Sequence, residues 1–511
     1  MRKKGVCLAV LLMVSVTLAA TVPVMANGGG STGKSDVAVL YLSGTPREMG
    51  LQYGAMAKDA IVENIAQFWG WVAERGLSKD ALIADALADE SLLPLFAVEE
   101  LKGMAKTSGV PYGELLAFNE FGDDDLQQHA CTCFIAAGTG TVDGRAISSK
   151  NRDLNNMQVL LLVEPDDGYK FIGMMSAGAL GVSQGINEMG VAIGHTWMPV
   201  PEYYEAGYSP FLVNQIVMEQ SADVSKSIAL ISELPKAEGA TFVLSDPSVA
   251  AFVETVPSVI NSPDTVWQVL ADGVGVHTNH YVMEPFHSWV MDGFGYFWTV
   301  SFARYDRGLE LIAENPVVDA PKVIEFTRDL ENWGCGSPGE VIDAHPEIPE
   351  DTWCYGWPGF SICNARTVSA SVFCCDDQYP EEMSTMWMAI NNPAWSPYVP
   401  LHNGILDELP LAGELLSDYV SGYAWSTSSK LRSTGEWGEL IPTFEAWEAV
   451  KSAENVVNED AARSLLSDED VAGACLLLTE ADGAIAQDGV ALMESLFDSS
   501  AEAELLVVPR D

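Results

Sequence analysis

The order of hydrophobic patterns along the chain most constrains its fold. Helical periodicity fills most of residues 47–120, whereas short strand-like runs begin at Cys131 and then alternate with helical segments. The first two runs, 131–140 and 145–154, flank the turn at 142–144, which is typical of a hairpin. Helices followed by strands interleaved with helices predict a layered α+β core rather than a Rossmann fold. From Leu411 onward the pattern is again mostly helical.

The charge balance excludes several classes of partner. The chain has 511 residues and a formal net charge of −46, from 26 basic and 72 acidic residues. Such a chain repels phosphate backbones, so no nucleic-acid partner is predicted. Hydrophobic residues make up 48% of the sequence, which excludes disorder of the whole chain. No glycine-rich phosphate loop follows a strand, so no cofactor is predicted.

The N-terminus has the pattern of a secretory signal. Arg2, Lys3 and Lys4 precede an apolar stretch at 6–24, and 24–26 offers a small-residue cleavage site. We expect residues 1–26 to be a signal peptide, which predicts a secreted or extracytoplasmic protein; the alternative is an uncleaved N-terminal anchor. No later segment has the ~18 apolar residues that a membrane span needs.

Eight of the nine cysteines follow residue 26, and five of them lie between Cys335 and Cys375. An exported protein keeps disulfides, so one or two bridges are expected in that cluster. The cluster lacks the paired spacing of a zinc site, and no metal is predicted.

The candidate chemistry centres on Cys131, which stands between a polar loop and the first strand. Ala130 before it is small and leaves its carbonyl open to attack. The predicted hairpin returns Asn151, Arg152 and Asp153 beside the start of that strand, which would bring together a thiol, a carboxylate and a guanidinium.

These groups suggest a self-cleaving nucleophile. Attack of the Cys131 thiol on the Ala130 carbonyl gives an N→S acyl shift, and water then resolves the thioester. The freed α-amino group has a pKa near ~8 and is suited to act as a general base for its own thiol. Arg152 or Asp153 would hold the amine and the substrate.

Simpler interpretations of these residues stay open. Cys131 alone is also compatible with a disulfide or a buried thiol. Cys133 would lie on the same strand face, so a Cys131–Cys133 bridge or metal pair is an alternative, with core packing favoured for Cys133. Arg152 and Asp153 also fit an ordinary surface pair.

Several segments resemble the cysteine N-terminal-nucleophile (Ntn) hydrolases of the isopenicillin N acyltransferase family, and more distantly bile-salt hydrolase and acid ceramidase. The segments occur in the family's order: 44–50 with Gly54, 130–132, Gly144, 151–153, 185–191, 278–280, and the pair Ser301 and Arg304. The resemblance covers roughly residues 40–400. The family usually has Gly before the nucleophile, where this chain has Ala130.

The resemblance implies an αββα sandwich, autoproteolysis between Ala130 and Cys131, and attack on linear amide bonds. It also implies that Asn279 and Asn187 supply oxyanion-hole amides. An alternative for Asn187 is a turn-forming role.

The remaining implied roles concern the amine of the nucleophile. Arg304 and Asp153 would be polar groups near the Cys131 amine. His280 is expected to be structural, because this chemistry needs no imidazole.

The sequence thus predicts an α+β, four-layer αββα Ntn-hydrolase sandwich with an N-terminal helical pro-segment and a helical C-terminal tail. Its expected parts are the signal peptide, a linker (27–36), an N-terminal segment (37–130), the core (131–402) and a C-terminal extension (403–511). The predicted activity is hydrolysis of a small N-acyl substrate through a cysteine thioester, with acyl transfer as a related activity. After processing, the two chains are expected to stay associated. The alternatives are a phospholipase B-like ester hydrolase and a non-catalytic secreted binding protein.

Overall fold

The computed structural model describes residues 39–121, 130–154, 156–200, 207–258, 263–288, 295–331, 360–364, 366–420 and 438–496. The predicted signal peptide, the linker and the polar stretch 122–129 lie outside these ranges. Among the described helices, none has the length and apolar character to cross a membrane.

The described strands form two sheets. The first sheet has eight strands in the order β1-β4-β5-β6-β7-β8-β9-β10, in which only the β1–β4 pair is parallel. Its strands are β1 (Val39–Gly44), β4 (Gln158–Pro165), β5 (Phe171–Ser176), β6 (Gln184–Asn187), β7 (Ala192–Met198), β8 (Gly239–Ser245), β9 (Ala250–Thr255) and β10 (Thr265–Leu270).

The second sheet is antiparallel throughout its six strands, in the order β11-β2-β3-β12-β13-β14. Its strands are β2 (Ala130–Ala137), β3 (Ile147–Asp153), β11 (Gly273–His277), β12 (Thr367–Cys374), β13 (Thr385–Ile390) and β14 (Val399–His402). The predicted hairpin of β2 and β3 is confirmed, because the two strands pair in register from Ala130 opposite Asp153.

The helices fall into three groups along the chain. Those before β2 are α1 (Pro46–Met56), α2 (Lys58–Glu74), α3 (Lys79–Asp89), α4 (Leu95–Ser108) and α5 (Tyr112–Phe121). Those within the core are α6 (Pro210–Gln220), α7 (Val224–Glu233), α8 (Gly295–Glu314), α9 (Ala320–Thr327) and α10 (Pro380–Met383). Those after β14 are α11 (Leu409–Val420), α12 (Ile441–Ser467) and α13 (Val471–Leu496).

Strand alternation divides the core into layers. In β4, Leu161 packs with the early helices, whereas Leu160 packs into the space between the sheets. In β13, Met388 faces that same space and Ala389 faces outward toward α9. Two sheets packed face to face with helices outside both confirm the predicted α+β, αββα sandwich.

The helical segment before β2 is built for close packing. Thr45 and Glu48 form a capping box that starts α1, and Pro46 occupies its first turn. A Cβ atom at Gly50 would overlap the carbonyl oxygen of Glu100 in α4, so the two helices approach only because this residue is glycine. The helical periodicity of the sequence continues without a break over 47–75, but α1 and α2 are separate helices that meet at Ala57.

The helices after β14 close one end of the sandwich. Residues of α11, α12 and α13 share a hydrophobic cluster with β4, β5 and β13. These helices also contribute buried carboxylates that pair with Arg328 and His402 of the core.

Candidate active site

The predicted nucleophile lies at the start of β2, where the backbone is already buried. Cys131 is 1% exposed and Ala130 is 7% exposed. The hairpin register sets Ala130 opposite Asp153 and Cys131 opposite Arg152. The hairpin therefore brings the pair Ala130 and Cys131 beside the pair Arg152 and Asp153 at one strand end.

Alternation places these residues on two different faces. Cys133 packs against Val243 and Phe252 of the first sheet, so Cys131, two residues earlier, points into the same space between the sheets. Arg152 shares that face because it lies opposite Cys131. Asp153 points the other way and lies opposite Thr367 of β12.

Asn279 binds the backbone nitrogen of Cys131. It follows β11, whose last residue His277 pairs with Cys133. The Oδ1 atom of Asn279 accepts a hydrogen bond from the Cys131 backbone N–H at 2.9 Å, and its Nδ2 donates to the Trp197 carbonyl at 2.8 Å. In this chain, Asn279 is thus an acceptor for the Cys131 nitrogen. One of the two Nδ2 hydrogens of Asn279 serves Trp197, and the role of this amide as an oxyanion donor stays a prediction.

Arg304 from α8 also forms hydrogen bonds with Cys131 and its neighbours. Its guanidinium donates to Asn279 Oδ1 at 2.8 Å and to Thr132 Oγ1 at 3.0 Å, and also to the Cys131 carbonyl. Burial lowers the pKa of Arg304, while the charge of Asp153 opposes that shift. A guanidinium stays charged even so, and this one is fixed beside both backbone groups of Cys131.

Asp153 lies opposite Ala130 in the hairpin, beside the bond between Ala130 and Cys131. Its Oδ1 accepts from Thr367 Oγ1 at 2.6 Å, whereas its Oδ2 is buried and has no hydrogen-bond partner among the described residues. Burial raises the pKa of Asp153, and the charge of Arg304 opposes the rise. This oxygen is therefore able to receive a new donor at the start of β2.

Two cations lie on the face of the Cys131 thiol. Arg152 donates to Gln158 Oε1 at 2.7 Å, and its guanidinium lies 5.3 Å from the centre of the Phe211 ring. Lys150 lies opposite Cys133 and donates to the Ser183 carbonyl at 3.2 Å. Both side chains are fully buried, so the space around the thiol is electropositive.

Asn187 belongs to a different part of the molecule. Its Nδ2 donates to the carbonyls of Met218 and Ser221, and its Oδ1 accepts from the backbone of Met189 and Val191. These four bonds use the whole hydrogen-bonding capacity of the amide. The predicted oxyanion role of Asn187 is therefore not supported, and the turn-forming alternative fits the geometry.

The other described cysteines pack as thiols. Burial raises the pKa of Cys133 despite the opposing charge of Lys150, so this thiol is neutral at neutral pH. Within the described residues no disulfide forms, neither between Cys131 and Cys133 nor in the 335–375 cluster, whose members Cys335 and Cys354 lie outside the described ranges. No group of three or more His, Cys, Asp or Glu side chains in the described part of the chain has the geometry of a metal site.

Comparison with known proteins supports the family resemblance. Residues 143–335 match the family model of acyl-coenzyme A:6-aminopenicillanic acid acyl-transferase. The predicted resemblance is confirmed. The match to this acyltransferase family spans Asp153, Asn279 and Arg304, and it begins after Ala130 and Cys131.

The individual relatives are distant. An uncharacterized protein from Archaeoglobus fulgidus is 24% identical over 229 residues, which cover 38% of this chain and 38% of that protein. Among solved structures, penicillin V acylase from Agrobacterium tumefaciens is 15% identical, with a TM-score of 0.30 and coverage of 53% of this chain and 86% of that one. A variant of conjugated bile acid hydrolase from Clostridium perfringens is 11% identical, with a TM-score of 0.30 and coverage of 53% and 92%. The N-acylethanolamine-hydrolyzing acid amidase orthologue from Caenorhabditis elegans is 12% identical, with a TM-score of 0.28 and coverage of 50% and 99%.

Some residues of the site carry little signal in the sequence. Lys150 shares a strand face with Arg152, and the signal of this in the sequence is their two-residue spacing. Thr132 and Thr367 are ordinary strand residues, and only the fold brings them to Arg304 and Asp153.

Proposed function

We propose that this protein is an exported, autoproteolytic Ntn-hydrolase that cleaves linear amide (N-acyl) bonds through a thioester on Cys131. The observation that carries the proposal is the hydrogen bonding of the Cys131 backbone. Asn279 accepts a hydrogen bond from its N–H, and Arg304 donates one to its carbonyl. These bonds fix the Cys131 nitrogen, which belongs to the bond that self-cleavage breaks, and they hold the main chain that carries the attacking thiol.

The first proposed reaction is maturation. The Cys131 sulfur attacks the Ala130 carbonyl carbon, and the bond from that carbon to the Cys131 nitrogen breaks as the nitrogen takes up a proton. Water then hydrolyses the thioester, which leaves an Ala130 carboxylate, the Cys131 thiol and a free α-amino group. Asp153, opposite Ala130 in the sheet, would accept a hydrogen bond from the new ammonium through its unpartnered Oδ2.

The second proposed reaction is turnover. The α-amine takes the thiol proton while the sulfur attacks the substrate carbonyl, and the same proton then passes to the leaving amine. Water hydrolyses the acyl-thioester and restores the thiol. An amine acceptor in place of water would give acyl transfer.

Arg304 and Asn279 would keep the α-amine in place during both steps. Arg152 and Lys150 would add positive charge on the thiol side, where negative charge develops on sulfur and on the carbonyl oxygen. No cofactor takes part in this scheme.

The two chains produced by maturation are expected to stay associated. β1 belongs to the segment before the cleavage point, yet it pairs with β4 along its whole length. Helices α1 to α5 share one hydrophobic cluster with strands β4, β5, β7, β8 and β9 of the first sheet. We therefore propose a processed protein of two associated chains, exported under the direction of residues 1–26.

The proposal is tested by assaying purified wild-type protein and the Cys131→Ala variant on a panel of N-acyl amides and phospholipids. We expect amide hydrolysis by the wild type and only background release by the variant. Cys133→Ala is the matched control, since its neutral, buried thiol takes no part in the reaction. Turnover of phospholipids alone would instead support the ester hydrolase, and an active Cys131→Ala variant would contradict the proposal.

A further inference from the structure

Residues 277–280, the segment that carries Asn279, are anchored through hydrogen bonds of all four side chains. His277 Nε2 lies 2.9 Å from Glu254 Oε1, and Thr278 Oγ1 donates to the Ser301 carbonyl at 3.0 Å. His280 Nδ1 lies 2.8 Å from the Ser301 hydroxyl. The segment is thus held between β9 and α8, so the position of Asn279 depends on groups that do not touch Cys131.

The Ser301 hydroxyl is the centre of these contacts. It accepts a hydrogen bond from the Asn279 backbone N–H at 2.8 Å, and it also lies 3.0 Å from Thr278 Oγ1. With His280 this makes three partners, which match the one donor and two acceptor sites of a hydroxyl. Ser301 is completely buried. In a variant that lacks the hydroxyl but keeps the core closed, no water takes the place of the hydroxyl.

Ser301 and Arg304 act from the same helix face. They are three residues apart in α8, so their side chains are neighbours. Ser301 binds the backbone nitrogen of Asn279, and Arg304 binds its side-chain oxygen. One turn of α8 therefore fixes both the main chain and the amide plane of the residue that holds Cys131.

We propose that Ser301 is a positioning residue of the active site, acting on Cys131 through Asn279. This inference rests on the proposed function, because it assigns a role in that reaction. Without the hydroxyl, the Asn279 backbone loses its partner and its Oδ1 shifts relative to the Cys131 nitrogen. A misplacement of about 1 Å costs a reaction about 100-fold.

The test compares Ser301→Ala with the wild type by kcat, KM and the rate of self-cleavage. We expect kcat and the self-cleavage rate each to fall about 100-fold, while KM is unchanged because Ser301 does not contact substrate. Ser301→Thr retains the hydroxyl and should recover most of both rates. The matched control is Ser227→Ala, which removes an equally buried serine hydroxyl from α7, bonded at 2.9 Å to the Asp223 carbonyl. This control should lose stability without losing kcat.

The outcomes separate this inference from the proposed function. An active wild type with an equally active, folded Ser301→Ala variant would overturn the role of Ser301 alone, as would a loss confined to KM or a failure of Ser301→Thr to recover activity. A wild type that neither cleaves itself nor hydrolyses amides would overturn both. Should Ser301→Ala not fold, Thr278→Val decides the matter: it loosens the same segment, we expect kcat to fall about tenfold, and an unchanged kcat would overturn the inference.

Discussion

Two deeply buried arginines, Arg304 and Arg328, show how differently this molecule uses the same side chain. Arg328 donates to both carboxylate oxygens of Glu448 in α12, at 2.5 and 2.6 Å. Arg304 donates to a carbonyl, a hydroxyl and an amide oxygen, all of them neutral. The guanidinium of Arg328 thus has a bidentate carboxylate partner, whereas that of Arg304 donates to the backbone of Cys131.

The pKa shifts of the two groups follow from this difference. Burial lowers the pKa of each arginine, but at Arg328 the charge and hydrogen bonds of Glu448, together with the charges of Tyr398 and Glu445, outweigh burial and raise the pKa. At Arg304, burial outweighs the charge of Asp153 and the pKa is lowered. Charged groups with perturbed pKa values are typical of functional sites, whereas removal of one partner from a buried ion pair destabilises a fold. We therefore expect substitutions of the two arginines to have separable effects.

The largest expected effect is on catalysis, in the Arg304→Met variant. Removing the guanidinium releases the Cys131 carbonyl and the Asn279 oxygen together, so kcat for amide hydrolysis should fall about a thousandfold. The control is Arg307→Met on the same helix, because Arg307 pairs with Asp329 and Glu310 away from Cys131. Equal activity of the two variants would contradict the role in catalysis assigned to Arg304.

The next effect is on stability, in the Arg328→Met variant. This change leaves the Glu448 carboxylate buried without its cation, and we expect the free energy of unfolding to fall by about 3–5 kcal/mol. Urea denaturation measures the loss, and kcat of the folded protein should be unchanged. The double variant Arg328→Met/Glu448→Leu should regain most of the stability, since no buried charge remains. A fall in kcat of Arg328→Met without a fall in its stability would contradict the structural role assigned to Arg328.

The smallest effect concerns a second paired cation beside the C-terminal helices. His402 Nδ1 donates to Asp482 at 2.8 Å and its Nε2 faces Glu459 at 3.4 Å. Burial lowers the pKa of His402, but these two carboxylates outweigh burial and raise it to about 10. A raised pKa in the folded state means that the stabilisation is complete below the unfolded value of about 6.5 and is lost as the pH rises toward 10.

Urea denaturation across this range tests the contribution of His402. Wild-type stability should decline with pH by at most about 1.4 kcal/mol per unit more steeply than that of His402→Gln. Parallel pH profiles of the two proteins would show that the imidazole is not charged in the folded state.

The sequence predicted those parts of the molecule that depend on local pattern. The β2–β3 hairpin follows from two alternating runs around a turn. The pairing of β8 with β9 has the same kind of local signal, since two apolar runs flank a turn at 246–248. The break at Ala57 was missed because helical periodicity continues across it. The strand β11 was missed because its glycines give it a weak hydrophobic pattern.

The site depends on contacts that no local pattern encodes. The Cys131–Asn279 bond joins residues 148 positions apart, and only the family resemblance drew attention to both. Even then the resemblance did not indicate the direction of the Asn279 amide, which is set by Trp197 and Arg304. For Asn187, a turn and an oxyanion role share the same sequence, and its four hydrogen bonds decide for the turn.

The most direct test of the central claim, that Cys131 becomes an N-terminus, is N-terminal sequencing of the purified protein together with its intact mass. We expect a polypeptide that begins Cys131-Thr132-Cys133 and a separate chain that ends at Ala130. Recovery of only uncleaved protein, with the bond between Ala130 and Cys131 intact in an enzyme that hydrolyses amides, would contradict the claim.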